Sequence, residues 1–173
     1  MIELIVGGAR SGKSRYAEQC ALESSDYPLY IATAEAGDRE MAERINQHQR
    51  RRGEQWRLVE EPLYLSQILG KLKNNESAVV DCLTLWLSNW LCREDRQGWN
   101  NERERFLAGL KLIQGSLWLV SNETGMGVIP TGSLAREFVD ESGKLQQDIA
   151  QQADTVTQML CGIPNRIKTS NAG

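Results

Sequence analysis

Histidine is almost missing from this chain of 173 residues; His48 is the only one. The four cysteines, Cys20, Cys82, Cys92 and Cys161, form no C-x-x-C pair. These two scarcities leave too few ligands at suitable spacing for a structural zinc site. In a reducing compartment such cysteines read as small apolar residues. No run of about 18 apolar residues occurs, so no membrane insertion by a transmembrane helix is expected. Met1 to Val6 lacks a basic n-region, a long apolar h-region and a cleavage site, so no secretory signal is expected and the expected address is cytoplasmic. A net charge of −3 disfavours non-specific binding to nucleic acid, and no nucleic-acid partner is expected. No repeat, low-complexity block or linker interrupts residues 1–173, so one domain is expected, with a tail that frays after about residue 168. What remains is an ordinary globular composition, 40% hydrophobic and 25% charged, which argues against general disorder.

Apolar runs alternate with helix-compatible segments. Strands are expected at Ile2–Val6, Pro28–Ala32, Trp56–Val59, Ala78–Val80 and Leu117–Val120, with a last one from Asp154 to Cys161. Helices are expected at Gly12–Ser24, Asp38–Arg52, Pro62–Lys73, Thr84–Arg93, Glu102–Gln114 and Ser133–Gln152. The polar stretch Glu94–Asn101 reads as a connector, and Gly143 as an interruption of the last helix. Alternation of this kind predicts an α/β protein, a P-loop NTPase-like mostly parallel sheet with helices on both faces. Its active site belongs at the carboxyl ends of the strands.

Gly7-Gly8-Ala9-Arg10-Ser11-Gly12-Lys13-Ser14 fulfils G-x-x-x-x-G-K-[ST], with an apolar strand before it and a helical segment after it. Glycines let backbone N–H groups curl around phosphate oxygens, and the following helix points its positive end at them. In this pattern Lys13 bridges β- and γ-phosphates and the Ser14 hydroxyl ligates Mg²⁺. Asp81, at the end of a neighbouring apolar strand, suits the second magnesium-side position; the bland reading is a strand-end residue capping the next helix. The loop implies a nucleoside triphosphate, ATP or GTP. No N-K-x-D guanine-reading motif is present, and the chain is short for a motor or transporter, so a small-molecule kinase or nucleotidyl transferase fits best.

His48 sits in Arg44-Ile45-Asn46-Gln47-His48-Gln49-Arg50-Arg51-Arg52. On a helix, Arg44 and Arg51 or Arg52 share its face. Flanking guanidinium groups would keep the imidazole neutral and nucleophilic, and would grip phosphate oxygens during attack. A histidine so placed could carry a nucleotidyl group covalently. It shares a stripe with Met41 and Ile45 as well, so spacing alone favours a core histidine and a solvated arginine run over the covalent role.

Further segments stand in order: Tyr30-Ile-Ala-Thr-Ala34, Glu40-Met-Ala-Glu-Arg-Ile-Asn-Gln-His-Gln-Arg-Arg51, Asp81-Cys-Leu-Thr-Leu-Trp-Leu-Ser-Asn89, Ser121-Asn-Glu-Thr-Gly-Met-Gly-Val-Ile-Pro130 and Leu134-Ala-Arg-Glu-Phe-Val-Asp140. With the phosphate loop they resemble the bifunctional adenosylcobinamide kinase/adenosylcobinamide-phosphate guanylyltransferase family of cobalamin biosynthesis, over about residues 2–168. The resemblance implies two reactions. A kinase step phosphorylates the aminopropanol hydroxyl of adenosylcobinamide from ATP or GTP. A transferase step moves GMP from GTP onto that phosphate, giving adenosylcobinamide-GDP and pyrophosphate, with GMP carried on His48. It implies nucleotide contacts at the loop residues Gly7 to Ser14, at Ala32, Thr33 and Ala34, at Gln49, Arg50, Arg51 and Arg52, and at Glu60 and Asp81. It also implies a homotrimer with sites between subunits.

The alternatives are a kinase without transferase activity, in which His48 is structural, and a nucleotide-dependent regulatory binding protein. Glu60 alone reads equally as an exposed acid before Pro62. Ser121-Asn122-Glu123 could position substrate, belong to a lid or cap a turn. Arg10 is assigned to substrate phosphate in the kinase step. The chain departs from the family at Gln146-Gln147, where Asn-Gln is usual; the extra methylene would alter a local hydrogen bond or subunit contact. Pro164–Lys168 matches only loosely.

Overall fold

The computed structural model describes residues 1–35 and 55–170. Seven strands form one sheet: β1 (Ile2–Gly7), β2 (Leu29–Ala32), β3 (Arg57–Glu60), β4 (Ser77–Asp81), β5 (Ser116–Asn122), β6 (Thr155–Leu160) and β7 (Ile163–Thr169). Their order is β3-β2-β4-β5-β1-β6-β7. The first six are parallel; only β7 runs antiparallel, against β6. The described helices are α1 (Lys13–Ser24), α2 (Leu65–Leu69), α3 (Leu83–Cys92), α4 (Arg96–Leu110) and α5 (Ser133–Gln152).

The period of two in the strands divides the core between two faces. Ile5, Tyr30, Val79 and Trp118 point to one side, where Ala17 and Ala21 of α1 cover them. Leu4, Ile31, Val80 and Leu119 point to the other, against Leu65 and Leu69 of α2, Leu83 and Leu87 of α3, Phe106 and Leu110 of α4, and Leu145 and Ile149 of α5. Each leucine, isoleucine, valine or phenylalanine among them is worth roughly 1.5–3 kcal/mol when fully buried. The expected two-faced, mostly parallel sheet is therefore observed.

Several expected elements differ in extent. The helix expected at Pro62–Lys73 shrinks to α2, because bonds of the i to i+3 type, from Lys71 N to Ile68 O and Leu72 N to Leu69 O, tighten the chain into turns after Gly70 and end the α-helical pattern. The polar segment at 94–101 is not a connector beyond Asp95. The Asp95 carboxylate accepts from Gly98 N at 2.8 Å and starts α4 there, while Trp99 anchors the first turn in the core. Gly143 does not interrupt α5: a Cβ there would meet nothing within 4 Å, and Ser142, Leu145 and Ile149 hold the helix through burial. β7 was not expected. Cys161 and Gly162, at φ 51° and 81°, form the two-residue turn that folds it back on β6. Its Pro164 is tolerated because β7 is an edge strand. β7 runs to Thr169, and Ser170 N donates to Asp154 O at 2.6 Å. The helix expected at Asp38–Arg52 lies outside the described residues.

Candidate active site

β1 leads through α1 on one face, whereas β5 leads through α5 on the other before the chain reaches β6. The connections thus diverge between β1 and β5, and a crevice opens at their carboxyl ends. The glycine-rich loop leaves β1 there. A Cβ on Gly7 would lie 2.5 Å from Met159 O, so the strand can pass β6 this closely only without a side chain. Gly12, at φ 98°, ends the loop in the left-handed region and precedes the first turn of α1. Ser11 N donates to Gly8 O at 3.3 Å, and Gly162 N of the β6–β7 turn donates to Ser11 O at 3.0 Å. The loop is thus braced from the far end of the chain. Gly8, Ala9 and Arg10 remain exposed at its crest.

Lys13 is 5% exposed, and its Nζ donates to Gly8 O at 2.7 Å. Burial pushes its pKa below the ordinary lysine value; the charges of Cys82, were it ionised, and Asp81 act the other way. The Cys82 thiol is itself pushed up to about 11, chiefly by burial and then by the Asp81 carboxylate, so it stays protonated at neutral pH. Ser14 lies in the first turn of α1, beside Lys13.

The neighbouring strand ends converge on the same edge. Gly7 pairs with Asn122, Val120 with Asp81, and Ala32 with both Asp81 and Glu60. Asp81 ends β4, and its Oδ2 accepts from Tyr30 Oη at 2.5 Å. The Asp81–Cys82 peptide is cis. Thr33 is fully buried: its N donates to Asp81 O at 3.1 Å, its hydroxyl donates to Cys82 O at 2.7 Å, and Cys82 N donates back to that hydroxyl at 2.7 Å. Ala32, Thr33, Ala34, Glu60 and Asp81 therefore share the carboxyl edge with the phosphate loop. His48, Gln49, Arg50, Arg51 and Arg52 lie outside the described residues.

Supporting residues complete the edge. Thr84 Oγ1 accepts from Asn122 N and Nδ2, both at 3.2 Å, and lies 3.1 Å from Cys82 Sγ, to which it donates. Asn89 Nδ2 donates to Thr33 O at 2.8 Å and Pro62 O at 3.1 Å. Gln146 Nε2 donates to Ser121 Oγ and to Asn122 O, both at 3.0 Å, so the longer amide reaches the end of β5. Glu123 N donates to Gly7 O at 2.9 Å, while its Oε1 accepts from Gly125 N at 2.7 Å, the turn-capping geometry. Thr84, Asn89 and Tyr30 went unread as site residues, although all three fall within motifs quoted above. Beyond Glu123 a cavity of about 480 Å³ is walled mainly by Leu91 and Cys92 of α3, Leu134 and Phe138 of α5, and Thr124 and Pro130 of the intervening loop. Met126, Val128 and Ile129 are exposed on that loop.

The sequence profile of the CobU family, cobinamide kinase / cobinamide phosphate guanyltransferase, matches residues 3–167. The chain belongs to this family. It is an enzyme, and the two activities that name the family, kinase and guanylyltransferase, follow from membership. Among CobU-family relatives, the bifunctional adenosylcobalamin biosynthesis protein CobP of Pseudomonas aeruginosa is 50% identical, with 97% of this chain and 98% of that protein aligned. The bifunctional adenosylcobalamin biosynthesis protein CobU of Escherichia coli is 36% identical over 97% of this chain and all of that protein. Two solved structures share the fold at low identity. The RadB recombinase superposes with a TM-score of 0.54 at 19% identity, covering 91% of this chain and 73% of that one. The flagellar accessory protein FlaH from Methanocaldococcus jannaschii gives 0.52 at 10% identity, covering 97% and 78%. Among the described residues no helix is long and apolar enough to cross a membrane.

Proposed function

We propose that this CobU-family chain carries out its two reactions around the carboxyl edge of β1, β2 and β4, and that His48 is the covalent carrier in the second. In the kinase step the aminopropanol hydroxyl of adenosylcobinamide attacks the γ-phosphorus of ATP or GTP; the bond to the β,γ-bridging oxygen breaks, the nucleoside diphosphate leaves and the hydroxyl proton passes to water. In the transferase step a nitrogen of His48 attacks the α-phosphorus of GTP. The N–P bond forms as the bond to the bridging oxygen breaks, and pyrophosphate leaves. The phosphate of adenosylcobinamide phosphate then attacks the same phosphorus, giving adenosylcobinamide-GDP and freeing His48. The nucleotide's contacts are read as the loop from Gly7 to Ser14, Ala32, Thr33, Ala34, Gln49, Arg50, Arg51, Arg52, Glu60 and Asp81, with Arg10 towards substrate phosphate in the kinase step.

The observation that carries this reading is the buried Lys13 ammonium, hydrogen-bonded to Gly8 O in a complete phosphate loop. A desolvated cation fixed beside exposed backbone amides stabilises charge that develops on transferring phosphoryl oxygens. The Ser14 hydroxyl and the Asp81 carboxylate are the hard oxygen donors that Mg²⁺ takes, and they would hold it together with phosphate oxygens. Bound there, the ion would neutralise charge on the phosphates. For the acceptor, the cavity between α3 and α5 suits one methyl-rich face of the corrin ring. It is lined largely by Leu91, Leu134 and Phe138 and starts two residues past Asn122. The sequence resemblance supports a homotrimer, and the nucleotide substrates support a cytoplasmic site of action; one domain spanning the chain is the simplest organisation.

Intact mass measured after incubation with MgGTP tests the carrier. The expected result is one added GMP that acid removes, as a phosphoramidate on imidazole requires, and that His48→Ala abolishes. Retention of the adduct by His48→Ala would overturn the assignment.

A further inference from the structure

Tyr30 is an odd residue for its place. It is 1% exposed in a cluster made of Ile5, Ala17, Ala21, Val79 and Trp118, with Trp56 standing edge-on at 5.6 Å and 86°. Phenylalanine would fill that space equally well, and a hydroxyl in such surroundings is costly unless it is bonded. Its bond to Asp81 Oδ2, at 2.5 Å, has the length of a charge-assisted O–H···O⁻ contact. The register explains how it reaches. Tyr30 of β2 lies opposite Val79 of β4, which is two residues before Asp81 and on the same face, so the ring spans one side-chain step towards the carboxyl edge.

We infer that Tyr30 is a positioning residue for Asp81: its hydroxyl holds Oδ2 and leaves Oδ1 as the single carboxylate oxygen offered to a divalent cation on the nucleotide. A carboxylate free to turn would present either oxygen and would be drawn towards the nearby Lys13 ammonium, whose own bond goes to Gly8 O. Packing on the ring fixes the donor, and the donor fixes the acceptor. The inference rests on the reading of Asp81 as a metal-side residue given above.

The test titrates Mn²⁺ into the protein–GDP complex and follows the free-ion signal by electron paramagnetic resonance. Tyr30→Phe keeps the ring and its packing, and is expected to weaken Mn²⁺ binding by about tenfold, the lower end of the effect of removing a group that orients a metal ligand. GDP affinity measured in chelator, without any divalent ion, is expected to stay unchanged, which loss of folding would not allow. Asp81→Asn serves as the reference. If Asp81→Asn weakens Mn²⁺ binding and Tyr30→Phe does not, Tyr30 is only a core residue and the inference falls alone. If neither substitution changes Mn²⁺ binding, Asp81 is not on the metal side, and both readings fall together. A Tyr30→Phe protein that loses GDP binding in chelator also overturns it, because the hydroxyl then holds the fold rather than the ion.

Discussion

Lys13 stands in a position that costs stability and, on the function proposed above, serves reactivity. Its ammonium is desolvated, and a backbone carbonyl provides only part of what water did. On that proposal the charge is kept for a phosphate that arrives with the nucleotide. Lys13→Met, which matches the stem but not the charge, should lower kcat of the kinase step by roughly 10²–10³, the loss seen when one preorganised electrostatic donor is removed. Its melting temperature should equal or exceed that of the wild type, because a partly uncompensated buried charge has gone. Steady-state assays beside a thermal melt check both halves. A fall in melting temperature with kcat preserved would mean that Lys13 serves packing.

At the scale of elements, a buried carboxylate decides how α2 sits on α4. Glu102, on α4, is 2% exposed and accepts from Ser66 N and Ser66 Oγ, each at 2.8 Å. Burial raises its pKa above the ordinary glutamate value, and the Ser66 bonds only partly oppose this. A raised carboxyl pKa means that the folded chain binds the proton more tightly than the unfolded one. The associated stabilisation is present below the unfolded pKa and is lost as pH rises through the folded pKa. Glu102→Gln cannot lose it. The melting temperature of Glu102→Gln relative to wild type should therefore rise between pH 4 and pH 7, and a difference that stays flat or shrinks would contradict this. The same contact shows why α2 and α4 were misread from sequence. Nothing local says that the carboxylate at 102 serves a serine 36 positions away, nor that Trp99 draws a polar stretch into helix. β1, β4 and β5 were legible because burial on both faces leaves them largely apolar, with Glu3 the one charged residue inside β1. β7 was not, since an edge strand is half solvated and its pattern is weak.

Across the whole molecule, the site collects residues from five strand ends. The phosphate loop was readable because one local motif carries its chemistry. That Asp81 ends a strand at this edge was readable from its place after an apolar run. Thr33, Thr84, Asn89 and Gln146 act by long-range hydrogen bonds, and sequence spacing carries no record of those. The cavity between α3 and α5 likewise exists only in the assembled fold. If it takes the corrin face, Leu91→Gln should raise KM for cobinamide several-fold, a polar group in an apolar pocket costing about 1–3 kcal/mol. KM for the nucleotide should not move. Equal rises in both constants would place the cavity outside the acceptor site.

The brace from Gly162 N to Ser11 O has a consequence for the order of events in the cell. The loop that meets the nucleotide follows β1, whereas the turn it leans on follows β6, so the ribosome makes the one well before the other. A nascent chain carries the whole motif long before it carries the prop, so a fully supported nucleotide cradle forms only once β6 and the turn after it have left the ribosome.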